Sequence, residues 1–261
     1  MKKKELISVI ITNFNKQKYL YKCLKNLKNQ RYNNFEIILF DDNSTDNSID
    51  IIRKFKKIIL IKNKKKKFKS SPLNQINGIL KTFDKSKGKI ICLLDSDDIF
   101  TINKLSEISN FFKKNIRKNF VVNLPNDQNI FNPKRIKTGN KIWPSIFPTS
   151  CISFRRSFFN DFKNYIKKNE YENLEIDARL IIYSYYSNDF SILNKRLTNY
   201  IKDKKGISSN YKKYSSNWWF KRKEAFEYLR FIFSRKKLFF VRSFDYFFTN
   251  LVYFFINLLK K

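Results

Sequence analysis

The stretch Lys89-Ile90-Ile91-Cys92-Leu93-Leu94-Asp95-Ser96-Asp97-Asp98 joins an apolar run directly to three acidic residues within four positions. A short, continuous apolar run is typical of a strand that is buried on both faces of a parallel sheet. Packed carboxylates repel one another unless a cation lies between them. The stretch therefore predicts a buried strand with a divalent cation, and the diphosphate that such a cation holds, at its carboxyl end. The alternative, a solvated loop, leaves the repulsion uncompensated.

Predicted strands and helices alternate around this stretch, from residue 6 to residue 122. Continuous apolar runs predict strands at residues 6–11, 35–40, 58–61, 89–94 and 120–122. Apolar residues at helical spacing predict helices at residues 16–30, 72–83 and 101–115, and around Ile49, Ile52 and Phe55. The pattern implies an α/β fold, namely a doubly wound, mostly parallel sheet with helices on both faces and right-handed crossovers.

The alternation breaks after Asn123. A loop-rich stretch follows, marked by Pro125, Pro133, Gly139, Pro144 and Pro148. Beyond it, the pattern predicts a strand at residues 149–154 and helices at residues 157–168 and 174–186. From residue 206 onward the chain is predicted to be a helical, strongly aromatic C-terminal tail.

Polar residues follow three of the predicted strands at their carboxyl ends, in the stretches 12–15, 41–44 and 95–98. In an open parallel sheet, ligands bind beyond these ends, so we expect the three stretches to form one site. For Asp41 and Asp42 taken alone, a helix N-cap is an equal alternative. The first glycine of the chain is Gly78. A glycine-rich dinucleotide turn and a P-loop are therefore both excluded, and carboxylates, other side chains and a metal must hold the nucleotide.

The composition limits the functional classes. With 55 Lys and Arg against 22 Asp and Glu, the formal net charge is +33, which indicates either a polyanionic partner or the drift of an AT-rich coding sequence. No nucleic-acid-binding signature is present, so we expect no nucleic acid partner. The chain contains no histidine, which excludes His-based catalysis and His metal ligands. Its three separated cysteines are expected to be buried and reduced in the cytosol, and the N-terminus does not resemble a signal peptide.

Four stretches together resemble family 2 glycosyltransferases. They are Ser8-Val9-Ile10-Ile11-Thr12-Asn13-Phe14-Asn15, Phe40-Asp41-Asp42-Asn43-Ser44-Thr45-Asp46, Asn77-Gly78-Ile79, and Gly88-Lys89 continuing into the acidic cluster at Asp95–Asp98. The resemblance covers residues 6–115 and continues more weakly to about Tyr200. It implies a GT-A fold, a UDP-sugar or other nucleotide-sugar donor, Mg²⁺ or Mn²⁺, and inversion at the anomeric carbon.

The resemblance also assigns roles to individual residues on the donor side. Thr12 and Phe14 would flank the nucleobase, and Asp42 would bind uracil or ribose. Asp95, Asp97 and Asp98 would bind the ribose, the metal and the diphosphate, with Asp97 and Asp98 as the metal ligands. The family often has an arginine before the Asn-Gly step, and this chain offers Lys69 and Asn74 instead.

An inverting transfer needs a carboxylate that takes the proton of the attacking hydroxyl group. The family has an acidic pair near the start of a helix on the acceptor side, and Glu175 and Asp177 fit that position, although one residue separates them. Residues i and i+2 of a helix point to different faces, so we expect only one of the two to reach the site. We favour Asp177 over Glu175 as the base. The alternative is an acidic residue that stabilises the helix dipole.

We therefore divide the chain at residue 205. Residues 1–205 form the predicted glycosyltransferase domain, in which 1–122 bind the nucleotide sugar and 123–205 supply the acceptor side and the base. Residues 206–261 form the tail, whose basic flanks and apolar residues favour a helix lying on an anionic membrane. Packing on the domain or in a homodimer is the main alternative, and a membrane span is a third. We expect a glycan or lipid-linked acceptor, surface polysaccharide or lipopolysaccharide synthesis, and a cytoplasmic protein at the inner face of the membrane.

Three other functions compete with this interpretation. A nucleotidyltransferase also uses a doubly wound sheet and metal-bound carboxylates, but it usually begins with a glycine-rich basic loop that is absent here. A basic nucleic-acid-binding protein explains the charge, but it leaves the acidic cluster unexplained. A non-catalytic relative of the family is disfavoured because all three aspartates are present.

Overall fold

The structure is a computed structural model. It describes residues 4–64, 68–127, 142–167, 169–201, 203, 206–233 and 239–259. Two residues of the predicted loop-rich stretch, Pro133 and Gly139, lie outside this description, as do the lysines that flank the tail helix at 236–237 and 260–261.

The first half of the chain forms the parallel part of the sheet. The strands are β1 (Ile7–Asn13), β2 (Phe35–Asp41), β3 (Ile58–Lys62) and β4 (Ile90–Asp95), and they lie in the order β3-β2-β1-β4 with parallel pairing throughout. The crossover helices are α1 (Gln17–Lys28), α2 (Ser48–Arg53) and α3 (Ser71–Lys85). The structure thus confirms the predicted strand–helix alternation and brings the carboxyl ends of β1, β2 and β4 to one edge.

The second half extends the same sheet with mixed pairing. Its elements are β5 (Ile99–Phe100), α4 (Lys104–Lys114), β6 (Phe120–Pro125), β7 (Ile152–Arg155), α5 (Arg156–Phe162), α6 (Ile176–Tyr186) and β8 (Ile192–Asn199). Strand β7 is antiparallel to both β4 and β6, β6 is parallel to β8, and β5 is antiparallel to β8. The full order of the eight-stranded sheet is β3-β2-β1-β4-β7-β6-β8-β5.

Strand β8 is absent from our predicted elements. Its centre is Asn194-Lys195-Arg196, which has no apolar residue and remains partly exposed, so it lacks the alternation that indicates a strand. Pairing with β6 and β5 makes it a strand. Tertiary contacts have here overridden the local pattern.

The core lies in two layers because consecutive strand residues face opposite sides of the sheet. Ile10 and Leu93 point into one layer with α3, α5 and α6, while Ile11 and Leu94 point into the other with α1 and α4. The three cysteines, Cys23, Cys92 and Cys151, are buried and unpaired with one another, as predicted.

The tail contains two helices, α7 (Ser216–Ile232) and α8 (Phe244–Leu258). Helix α7 packs on α6 through a third apolar cluster, in which Ala178 and Ile182 of α6 meet Phe226 and Leu229 of α7. Helix α8 packs on α7. Within the described parts of the chain, no helix has both the length and the hydropathy that crossing a bilayer requires.

Candidate active site

A cavity of about 470 Å³ opens at the carboxyl edge of the parallel strands. Its wall contains most of the residues that the sequence assigned to the donor and the base: Thr12, Phe14, Asp42, Lys69, Asn74, Asp95, Asp97, Glu175 and Asp177. Described residues that follow β8 also line the cavity: Tyr200, Ile201, Asp203, Gly206, Ile207 and Asn210. Of the predicted site residues, Asp98 is the exception, because it does not line the cavity.

Asp95 ends β4 at the floor of the cavity. Thr12 is its register partner on β1, and its hydroxyl lies 3.5 Å from the Asp95 Oδ1 atom. The Gln75 side-chain amide donates to the same oxygen at 2.8 Å, and the Asp95 backbone N–H donates to the Ser150 hydroxyl at 2.9 Å. Burial raises the pKa of Asp95 well above its ordinary value, and repulsion from Asp97 raises it further. A cation at this position would offset the repulsion between the two carboxylates.

Lys16 lies between two carboxylates at the mouth of the cavity. Its Nζ atom is 2.6 Å from the carboxylate of Asp97 and 2.5 Å from that of Asp203. Burial by itself lowers the pKa of Lys16, but the hydrogen bonds and attraction of Asp203 and Asp97 outweigh it, so the net pKa is raised. The ammonium group thus compensates part of the negative charge and connects the start of α1 to Asp203, which also lines the cavity.

Asp98 has a structural position instead. It is fully buried, and its Oδ1 atom accepts a hydrogen bond from the backbone N–H of Ile201 at 2.8 Å. Burial raises its pKa to about 7. To act as the metal ligand that the resemblance implied, Asp98 would have to turn towards the cavity, which it does not line.

The two aspartates after β2 serve different purposes. Asp41 accepts hydrogen bonds from the Ser44 backbone N–H at 2.9 Å and from the Asn13 side chain at 2.8 Å, so it shapes the turn and does not line the cavity. Asp42 does line the cavity, and Asn63 at the end of β3 donates to its Oδ1 atom at 2.7 Å. The structure therefore gives the two aspartates different positions, and Asn63 orients Asp42, the one that the resemblance assigned to the donor.

Lys69 and Asn74 flank the start of α3. Lys69 is exposed and lines the cavity. The Asn74 side chain accepts from the Phe68 N–H at 2.9 Å and donates to the carbonyl groups of Phe68 and Ser70, at 3.1 and 3.0 Å. The Asn74 amide is therefore already engaged with the backbone of 68–70, and of the two candidates Lys69 has the more available polar group.

Both acidic residues at the start of α6 line the cavity, contrary to our expectation that only one could. The expectation assumed that both are helical. The helix begins at Ile176, and Glu175 is its N-cap residue with an extended backbone, φ −66° and ψ 162°. The i and i+2 rule for helices therefore does not apply. Burial raises the pKa of Asp177 to about 7, and repulsion from Glu175 contributes to the increase.

Lys221 on α7 forms an ion pair with Glu175 and packs over the ring of Tyr211, 4.9 Å from its centroid. Its charge acts against the burial and repulsion that raise the pKa of Asp177. A residue of the predicted tail therefore belongs to the acidic end of the site.

The segment before α6 is held by a buried guanidinium group. Arg179 is fully buried and donates five hydrogen bonds of 2.5–2.9 Å to backbone carbonyl groups, those of Ile166, Lys167, Glu170, Tyr171 and Leu174. Burial lowers its pKa to about 10, so it stays charged at neutral pH. These bonds fix the loop from which Glu175 and Asp177 enter the cavity.

The chemistry of the donor set fits a hard divalent cation. Asp95 and Asp97 offer carboxylate oxygens, and burial and mutual repulsion raise the pKa of Asp95. Among the described side chains, no cluster of three or more His, Cys, Asp or Glu residues has the geometry of a metal site. Phosphate and water oxygens are further ligands that such a cation accepts.

Several residues of the site escaped the sequence analysis. Asn63 and Lys16 lie shortly after predicted strands and could have been recognised as polar residues near strand ends, whereas Gln75 lies within α3. Asp203 and Lys221 could not have been recognised in this way, because Asp203 reaches Lys16 and Lys221 reaches Glu175 only through tertiary packing.

A family model described as Glycosyl transferase family 2 matches residues 8–179. A curated relative, the UDP-Glc:alpha-D-GlcNAc-diphosphoundecaprenol beta-1,3-glucosyltransferase WfaP from Escherichia coli, is 38% identical over 111 residues, which make up 42% of this chain and 42% of that protein. The chain spans less than half the length of the first curated relatives that it matches.

Solved structures show the same fold at low sequence identity. Staphylococcus aureus TarS 1-349 in complex with UDP-GlcNAc matches with a TM-score of 0.63 and 16% identity, over 95% of this chain and 70% of that one. The mannosyltransferase PcManGT from Pyrobaculum calidifontis in complex with GDP-Man and Mn²⁺ matches with a TM-score of 0.59 and 15% identity, over 90% of this chain and 64% of that one. These matches confirm the predicted fold class.

Proposed function

The chain belongs to glycosyl transferase family 2, and from this premise we propose that it transfers a sugar from a nucleotide-sugar donor to a glycan or lipid-linked acceptor, with inversion at the anomeric carbon. One observation supports this most directly. The predicted donor residues Thr12, Phe14, Asp42 and Asp95 share a single cavity with the predicted base Asp177. Donor and acceptor sites must meet in this way for a direct transfer.

The donor proposed here is a UDP-sugar. Asn63 donates a hydrogen bond to the carboxylate of Asp42 and so orients it. A carboxylate accepts hydrogen bonds, which suits the imide N–H of uracil or a ribose hydroxyl. Phe14 lines the cavity and is 45% exposed, so we place its aromatic ring beside the base of the donor. The UDP-Glc in the name of the Escherichia coli relative and the UDP-GlcNAc in the TarS complex are consistent with this choice.

Asp97 together with Asp95 would hold Mg²⁺ or Mn²⁺ at the diphosphate. When bound, such an ion neutralises the charge that develops on the departing nucleotide. Lys16, which pairs with Asp97 and Asp203, adds a second positive charge at the same end of the cavity. PcManGT, which shares the fold, has Mn²⁺ together with its nucleotide sugar.

In the proposed reaction, an acceptor hydroxyl oxygen attacks C1 of the sugar on the side opposite the diphosphate. The new C1–O bond forms as the bond from C1 to the diphosphate oxygen breaks, and that oxygen leaves with the electron pair. Asp177 takes the hydroxyl proton. A pKa of about 7 suits this role, because a substantial fraction of the carboxylate is then ionised at neutral pH and it is basic enough to accept a proton. Glu175 is the less favoured base because Lys221 already engages its carboxylate.

We propose surface-glycan synthesis as the setting, with the enzyme at the cytoplasmic side of the membrane. The Escherichia coli relative acts on a sugar linked to diphosphoundecaprenol, as its name states, and an acceptor of that kind would lie at a membrane surface. Of the predicted domain boundaries, we retain 1–205 as the catalytic part, with the amendment that α7 adds Lys221 to the site.

A panel of nucleotide sugars tests the proposed function. The full chain is mixed with each donor and Mn²⁺ or Mg²⁺, and donor hydrolysis and the shift in melting temperature are measured. We expect UDP-sugars to stabilise the protein, because a ligand that binds only the folded state raises its apparent stability. No response to any nucleotide sugar would contradict the proposal and favour the nucleic-acid-binding alternative. Binding to DNA or RNA that weakens steeply with salt would then support that alternative.

A further inference from the structure

Helix α8 is oriented with its polar side towards the protein. Asp245 accepts a hydrogen bond from the Trp143 indole N–H at 2.9 Å and forms an ion pair with Arg222 of α7. Thr249 is fully buried and accepts from the Arg222 Nε–H at 3.2 Å. Asn250 accepts from the Lys223 ammonium group at 2.7 Å. The polar side chains that would normally face water are therefore used to attach α8 to α7.

The apolar side of α8 faces outward. Its residues are between 39% and 88% exposed, and their spacing of three and four positions forms one continuous stripe: Phe244, Phe247, Phe248, Leu251, Phe254, Phe255, Leu258 and Leu259. A surface helix of a water-soluble domain has the opposite arrangement, with its apolar stripe towards the core. A contiguous exposed apolar surface of this size marks a contact with another molecule or with a membrane.

Aromatic and basic residues extend this surface onto the start of α7. Trp219 packs against Phe248 with 5.7 Å between the ring centroids, and Tyr214, which is 64% exposed, is 6.4 Å from Trp219. Lys212 and Lys213 are exposed beside Tyr214. Tryptophan and tyrosine are enriched where a protein surface meets the headgroup region of a bilayer.

The charges around the stripe distinguish a membrane from a second copy of the chain. Arg242, immediately before α8, is exposed, and Asp245, the single acidic residue in α8, faces inward. In sequence the helix is also flanked by Lys236, Lys237, Lys260 and Lys261, in a chain of net charge +33. A two-fold contact through the stripe would bring two strongly basic chains together, which charge repulsion disfavours. Anionic lipid headgroups instead complement a basic rim around an apolar face.

We propose that the outward face of α8 inserts into the headgroup layer of an anionic bilayer, with its axis parallel to the membrane and with Tyr214 and Trp219 at the same level. Helix α7 joins this face to the active site, because it provides Arg222 to α8 and Lys221 to Glu175. The inference rests on the proposed function in one respect. A lipid-linked acceptor is the reason why the enzyme would need to lie at a membrane.

Vesicle flotation with the full chain tests the inference without requiring turnover. Vesicles of phosphatidylcholine alone are compared with vesicles that also contain phosphatidylglycerol. We expect the protein to float with the anionic vesicles, and less so as the salt concentration rises. The combined substitution Phe247→Ser and Phe254→Ser should lower the partition coefficient at least roughly tenfold, because two large apolar side chains no longer enter the bilayer.

A matched control separates the stripe from general hydrophobicity. Ile116, in the turn after α4, is 77% exposed, and Ile116→Ser should leave flotation unchanged. Thermal melts should be similar for all variants because the altered side chains are exposed. Flotation of the double variant at the wild-type level would overturn the inference. A wild-type protein that does not float, but forms a dimer that the double substitution dissociates, would also overturn it. Intact flotation without any response to nucleotide sugars would contradict the proposed function and leave this inference standing.

Discussion

Lys221 of α7 forms an ion pair with Glu175. Glu175 occupies the N-cap position of α6, two residues before Asp177. The pair connects the C-terminal helices to the acidic side of the cavity. Both partners act on Asp177 but in opposite directions, because the negative charge of Glu175 raises its pKa and the positive charge of Lys221 lowers it. The acidity of the proposed base therefore depends on a residue outside the segment that the family model matches.

The pH profile of the transfer reaction should depend on this pair. A base must be ionised to act, so with a pKa of about 7 for Asp177 we expect kcat/KM to rise with pH through about 7 and then to level off. Lys221→Met removes a charge that favours the ionised form, so the rise should move to higher pH. Glu175→Gln removes a charge that disfavours it, so the rise should move to lower pH. The measurement is kcat/KM against pH for the three proteins.

Lys221→Arg is the control, since it keeps the positive charge and should restore a profile close to that of the wild type. If Lys221→Met and Glu175→Gln both lowered kcat/KM at every pH without moving the midpoint, the two residues would have a packing role only.

Asp177→Asn should abolish transfer and preserve donor binding. The amide cannot accept the hydroxyl proton as a base, and general-base catalysis typically contributes on the order of 10²–10⁴-fold to the rate. The substitution is close to isosteric, and Asp177 is not among the residues assigned to the donor, so the stabilisation of the protein by a UDP-sugar should persist. Turnover is measured with saturating donor and acceptor, and binding by the shift in melting temperature. Wild-type turnover in this variant would remove Asp177 from the mechanism.

The parts of the site that could be predicted from the sequence are those that strand topology fixes. Thr12, Asp42 and Asp95 each follow an apolar run, and parallel pairing of β1, β2 and β4 necessarily brings such ends together. Lys221 and Asp203 depend on how later segments pack over the sheet, and no local pattern contains that information. The relation between Glu175 and Asp177 was misjudged for a smaller reason, since the start of a helix cannot be located to one residue from sequence.

Gly88→Ala should destabilise the fold. A Cβ atom at this position would lie 2.5 Å from the backbone nitrogen and from the hydroxyl oxygen of Ser8 on β1, well inside van der Waals contact. The backbone of a central strand cannot move aside easily, and overpacking of this kind costs about 1–3 kcal/mol in the free energy of unfolding. Urea unfolding measures the change. Lys87→Ala, at the exposed neighbouring position, is the control and should stay within about 0.5 kcal/mol of the wild type.

Arg179→Lys should destabilise the protein and reduce its activity together. The guanidinium group of Arg179 donates to five carbonyl groups between Ile166 and Leu174, whereas an ammonium group has three N–H donors and a different geometry. Hydrogen bonds that involve a charged group contribute about 1.5–3 kcal/mol each, so we expect the free energy of unfolding to fall by roughly 3 kcal/mol or more. The same bonds hold the loop before Asp177, so kcat should also fall at temperatures where the variant is folded.

Arg53→Lys is the control, because Arg53 makes an exposed pair with Asp50, and it should change stability by less than about 0.5 kcal/mol. Equal effects of the two substitutions on urea unfolding would show that the five carbonyl contacts contribute nothing specific to stability.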